Sequence, residues 1–171
     1  MAGKYPGPVM KAAQTALESG NARHILIWVP EGSENTLRNL LEKTCCERYS
    51  QKNHAADWYF ETVQRLHRSG MRSYYSGPDP GISGEIPVLQ MADEAIETGN
   101  FEKLSTMVPD MHISKARQWF YTIREMRNYP SDNLSAGRKY VSAYLDFITY
   151  LNHLSGIQEV YCDNKSDKKW I

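Results

Sequence analysis

His54, Asp57 and Glu61 set an imidazole and two carboxylates at steps of three and four residues, so on a helix they share one face and could present ligands to a cation. Bundle proteins that hold paired iron or manganese ions carry Glu-x-x-His on two helices, and that signature does not occur in this chain. Arg65 follows Glu61 by four residues, so an ion-paired solvent face accounts for the same spacing more simply. His67 lies six residues after Glu61, roughly 120° round a helix at about 100° per residue. A shared ion would then need help from another helix, from Asp146 or His153. The latter adjoins a helix end, where an imidazole also suits the negative pole of the helix.

Other chemistries have less support. No serine sits in a strand-turn-helix context and no histidine neighbours a cysteine in sequence, so nucleophilic catalysis has no motif and enzyme status stays open. Gly81-Ile82-Ser83-Gly84 lacks the spacing and the lysine of a phosphate loop and reads as a connection. Arg65, His67, Arg68, Arg72, Tyr74 and Tyr75 interleave basic groups with rings, as surfaces that bind phosphates and stack on bases do. That stretch is short, and 20 Lys plus Arg are balanced by 20 Asp plus Glu, so no net field draws the chain to nucleic acid or anionic lipid. Arg72, Tyr74 and Tyr75 are better read as loop contacts that pack a linker or line a pocket.

Cys45, Cys46 and Cys162 make no disulfide framework, and Cys45 falls in register with Leu37, Leu41 and Thr44 on a core face. The first residues lack the apolar core of a signal peptide, and no run approaches the roughly twenty apolar residues of a membrane span. The expectation is a cytoplasmic protein with no membrane contact.

The elements that must position these groups are legible as a duplication. Pro8-Val9, Ala13, Ala16-Leu17-Glu18-Ser19-Gly20-Asn21 and Val29-Pro30 recur at a constant offset of 79 as Pro87-Val88, Ala92, Ala95-Ile96-Glu97-Thr98-Gly99-Asn100 and Val108-Pro109. Proline opens each copy, glycine stands where a helix ends and asparagine where the next begins. The pattern predicts helices over 8–19, 22–29, 33–47 and 54–68, then over 87–98, 101–108, 113–127 and 135–154. Residues 22–29 taken alone would suit a buried strand, but their counterparts at 101–108 carry Glu, Lys, Leu and Met and favour a helix. Tyr59-Phe60-Glu61 and Val63 match Tyr144-Leu145-Asp146 and Ile148 at an offset of 85, so the second copy is longer.

The expected fold is all-α, a single domain over 1–171 with 41% apolar residues to fill its core. It comprises a repeat over 7–69, a Gly/Pro-rich linker over 70–86, a second repeat over 87–155 and a tail over 156–171 that docks loosely or stays mobile. The two four-helix repeats are expected to pack as one pseudo-twofold bundle.

Gly7-Pro8-Val9, Ala16 to Asn21, Ile27-Trp28-Val29-Pro30, Phe60-Glu61-Thr62 with Leu66-His67-Arg68, and Tyr140-Val141 with Ala143-Tyr144 together resemble an uncharacterised bacterial family classed as a domain of unknown function. The resemblance spans residues 7–154. It implies a helical fold and, in many members, export and a His-Cys-Asp cluster before Gly-Pro-Val with a further histidine in the last helix, a metal-ligand pattern. Here Lys4, Tyr5 and Pro6 replace the cluster and Thr149 stands at the last-helix position, leaving Glu61, His67 and, as an acidic replacement, Asp146. The leading expectation is therefore a scaffold or binding protein acting through protein or small-ligand contacts, with homo-oligomers suggested by Trp28, Trp58 and Trp119. The competing expectation is a metal-dependent enzyme or oxidoreductase using Glu61, His67 and Asp146 with a transition metal. No cofactor is strongly indicated.

Overall fold

The glycines that end the first helix of each sequence copy both adopt left-handed backbone, Gly20 at φ 68° and Gly99 at φ 81°. The asparagine after each glycine then caps the next turn: Asn21 Oδ1 accepts from Arg23 N–H at 3.1 Å, and Asn100 Oδ1 from Glu102 N–H at 2.9 Å. These local devices set the chain direction at both corners.

The computed structural model describes residues 7–48, 54–71 and 87–166, with side chains over 7–47, 54–70, 88 and 90–154. Its elements are α1 (Pro8–Ser19), α2 (Arg23–Leu26), a 3-10 turn (Glu31–Ser33), α3 (Glu34–Arg48), α4 (His54–Met71), α5 (Pro87–Thr98), α6 (Glu102–Ser105), α7 (Asp110–Arg127) and α8 (Leu134–Ser166). Among the described residues there is no strand, so the fold is all-α. No described helix is long and apolar enough to cross a membrane.

Helices α3 and α4 pair with each other and pack on α1, while α7 and α8 pair and pack on α5. The strand-like run at 22–29 resolves into the short α2 and a turn, with Ile25, Leu26, Ile27, Trp28 and Val29 all buried. Its β-branched and aromatic residues thus serve packing rather than sheet pairing. Helix α4 continues through Gly70, where the linker was expected to begin. There the missing side chain permits close approach, because a Cβ would stand 2.9 Å from Pro30 Cγ. Helix α7 starts at Asp110, three residues earlier than the spacing predicted, directly after Pro109. Helix α8 runs to Ser166, past residue 156 where the tail was expected to begin. Much of the proposed linker, with Arg72, Tyr74 and Tyr75, lies outside the described residues, as do the side chain of Cys162 and the residue Trp170.

Contacts between the first and second halves come from both charge and shape. Lys11 on α1 pairs with Glu97 on α5 at 2.8 Å, and Arg138 on α8 reaches Glu31 at 3.2 Å and also Glu34. Gly137 lets α8 lie against the end of α2, since a Cβ there would stand 2.5 Å from Ile27 Cγ2. Tyr59, Phe120, Phe147, Leu37 and Leu151 fill the interior, each such side chain contributing about 1.5–3 kcal/mol when fully buried.

Candidate functional site

The residues singled out by spacing do not meet. His54, Asp57 and Glu61 face solvent on α4, and Asp146 and His153 face solvent on α8. His67 turns the other way: it is 2% exposed, its Nδ1 is 2.7 Å from the Trp28 carbonyl oxygen, and its ring meets Trp28 edge-on at 6.1 Å. The angular offset along α4 that separates Glu61 from His67 in sequence thus sends one outward and the other inward. Their placement does not fit a shared ion, and among the described residues no group of three or more His, Cys, Asp or Glu is placed to hold a metal. Cys45 is half-buried against the core, its Sγ 3.8 Å from the Leu17 carbonyl, and Cys46 is exposed.

Trp28 is 7% exposed and stands between two clefts. On the His67 side, a cleft of about 270 Å³ is bounded by Pro30, Gly70, Val141 and Leu145, with Arg138 held by the two glutamates at its edge. The Arg138 Nε is buried there with no hydrogen-bond partner among the described residues. The burial of Trp28 also removes it from the surface that suggested oligomers. Trp119 is partly covered by Tyr150, leaving Trp58, 54% exposed, as the most open of the three.

On the other side of Trp28 a second cleft of about 270 Å³ carries more chemistry. Its deep wall is built by α5 and α8. Tyr140 and Tyr144 sit one turn apart on α8, so both rings project to the same side. Asp93 lies at the edge of the apolar stripe of α5 formed by Val88, Ala92, Ala95 and Ile96, and is 8% exposed. The Tyr144 hydroxyl donates to Asp93 Oδ1 at 2.5 Å, which ties α8 to α5. Trp28 meets Tyr144 edge to face at 5.6 Å and 83°, and the series continues to Tyr140 at 6.4 Å and on to Tyr129 at 6.1 Å, with adjacent planes inclined by 36° and 31°.

Electrostatics follow from this burial. Desolvation pushes the Asp93 carboxyl up to about 6; the Tyr144 hydroxyl and the Lys11 ammonium pull it down, and Glu97 pushes it further up. Burial also raises the Tyr140 phenol to about 12, against the pull of Arg127, and raises that of Tyr129. These tyrosines are therefore neutral hydrogen-bonding rings near neutral pH. At the rim, Lys11 is paired with Glu97, and Arg127 Nη1 donates to the Ile96 carbonyl at 3.1 Å in the last turn of α5.

Spacing alone missed Asp93 because a single acid beside an apolar stripe looks like any solvent-edge residue. The available signal was Tyr140 and Tyr144 at i and i+4 on the last helix, which announces an aromatic face needing a polar partner for its hydroxyls. No curated protein and no solved structure matches the chain. A family model does match it, over residues 6–150. The chain with this aromatic, acid-bearing cleft therefore belongs to DUF6448, a family of unknown function.

Proposed function

We propose that the chain is a helical binding protein whose ligand site is the cleft lined by Trp28, Asp93 and Tyr144. The observation that supports this reading is Asp93 itself: a carboxyl 8% exposed, against a cleft of about 270 Å³ rather than in the closed core. Burying an acid is unfavourable, and a tie between α5 and α8 could be made by apolar side chains at less cost. An acid retained at a concave surface among rings is the kind of convergent polar group that orients a small ligand. On this reading the two sequence copies pack about a pseudo-twofold axis, and the cleft lies where α1 and α5 come together under the corner that carries Trp28.

The cleft lies just below the about 300–1,000 Å³ usual for drug-sized ligands, so a molecule of amino-acid size suits it. The test is nitrogen-detected NMR of the indole groups, with Trp28 assigned through Trp28→Phe, during addition of cationic, neutral and anionic compounds of that size. Displacement of the Trp28 resonance by at least one class, with the exposed Trp58 unchanged, is the expected result. No displacement by any class would remove the cleft as a ligand site. A protein-contact role is favoured by the exposure of Trp58, Met111 and Tyr121 among the described residues, and a concentration-independent monomer in sedimentation would count against a second copy as the partner.

A further inference from the structure

Resting on the cleft being a binding site, we propose that its occupant is a small organic cation with an alkylated ammonium group, held among the rings of Trp28, Tyr129, Tyr140 and Tyr144 and by the carboxyl of Asp93. A ring face attracts positive charge through its quadrupole, most strongly where water is excluded, and tryptophan and tyrosine are the best such faces. Four of these rings follow one another along the cleft wall at 5.6, 6.4 and 6.1 Å between centroids. An alkylated ammonium carries its charge on a surface of methyl groups, so it enters such a site without demanding the full set of oxygen ligands that a metal ion requires. The second requirement is a compensating negative charge, and Asp93 supplies it from the deep wall, fixed by the Tyr144 hydroxyl at 2.5 Å. A cation in the cleft relieves the unfavourable burial of that carboxyl, whereas an anion would be repelled by it.

Two positive groups line the cleft, and each has a partner. Lys11 is paired with Glu97 at 2.8 Å, and Arg127 is directed to the carbonyl of Ile96 at the end of α5. The groups facing Asp93 are Lys11 from α1, Glu97 from its own helix, and the Tyr144 hydroxyl and the Tyr140 phenol from α8, with Arg127 of α7 and His24 of α2 at the rim. Protonation of Asp93 removes the compensating charge. Affinity for the cation therefore falls on acidification.

The experiment is isothermal titration of the full chain with choline, with dimethylbutanol as its neutral carbon isostere, and with sodium acetate, each followed in parallel by the Trp28 indole resonance. At pH 7.5, choline is expected to bind about tenfold more tightly than the isostere, the size of one desolvated cation–π contact with its counter-charge. That preference is expected to shrink to about threefold or less in Asp93→Asn and in the wild type at pH 5. Tyr129→Leu, a change at a half-buried ring outside the closed core, is expected to weaken choline and not the isostere, and keeps the test valid should Asp93→Asn fold poorly. Equal binding of choline and the isostere, or preference for acetate, overturns the cation while leaving the cleft as a site. Silence of heat and of the Trp28 resonance with every probe overturns the cleft as well.

Discussion

Tyr59 and Tyr144 occupy matched positions in the two sequence copies, both are buried, and their hydroxyls are used differently. Tyr59 donates to the Ala13 carbonyl of α1 at 3.1 Å, a closure of side chain on backbone inside the core. Tyr144 donates to the Asp93 carboxyl of α5 at 2.5 Å, beside a cleft. Gln14, which matches Asp93 at the offset of 79, is exposed and donates to Glu18 at 2.8 Å on its own helix. Matched sequence positions thus carry a tyrosine that bonds to backbone in the first half and a tyrosine that bonds to an acid in the second. The difference lies in Asp93 and the rings around it.

The largest expected effect comes from the residue that separates the clefts. Trp28→Ala is expected to cost about 3–5 kcal/mol in chemical denaturation, as for other buried tryptophans. Met107, its match in the second copy and only half-buried, is expected to cost about 1–2 kcal/mol when changed to alanine. Equal costs would mean that Trp28 has no special place between the halves.

The next effect concerns Asp93 and has a defined sign. Its folded-state value of about 6 lies above the usual 3.8, so the native protein holds the proton more tightly than the unfolded chain. The resulting stability is complete below the unfolded value and is lost as pH rises through about 6. At pH 7.5 the ionised Asp93 then burdens the fold by about 3 kcal/mol, at 1.36 kcal/mol for each pH unit. Asp93→Asn keeps an acceptor for Tyr144 and is expected to stabilise the protein by up to that amount, with the gain shrinking as pH falls through the same window. Urea midpoints of both proteins between pH 7.5 and 4.5 check it, and a gain that does not vary with pH would break the contrast with Gln14.

Smaller again is the contrast between the tyrosines. Tyr59→Phe is expected to cost about 1 kcal/mol at any pH between 5 and 8, because its acceptor is a neutral carbonyl. Tyr144→Phe is expected to cost about 1.5–3 kcal/mol at pH 7.5, where its acceptor is charged, and less at pH 5. Matching pH profiles would show that the two hydroxyls are equivalent after all. The smallest effect belongs to the rim. Lys11→Met is expected to change stability by about 0–1 kcal/mol, in keeping with an ion pair 38% and 47% exposed, and the change should fade in high salt.

Much of the fold was readable from residues because helix ends are local chemistry. Gly20-Asn21 and Gly99-Asn100 marked their corners through backbone requirements that act within a few positions, and the prolines after each short helix did the same. The run at 22–29 was harder, since β propensity reflects half-buried packing as much as extended backbone, and here burial alone explains it. The site was far less readable. Spacing along one helix identified His54, Asp57 and Glu61, which the fold leaves in solvent, whereas the cleft assembles from Trp28, Asp93, Tyr129 and Tyr144, residues joined only by tertiary packing. His67 shows both sides of this: its angular offset from Glu61 is readable along the helix, but only the fold reveals the Trp28 carbonyl as its partner.

The most direct measurement is the titration of the Asp93 carboxyl carbon by NMR, in the free protein and in saturating choline. The expected midpoint is near 6 in the free protein, set by burial against the cleft, with a fall of about one unit or more when the cation is bound. A midpoint near 4, or one near 6 that choline leaves unmoved, would contradict it.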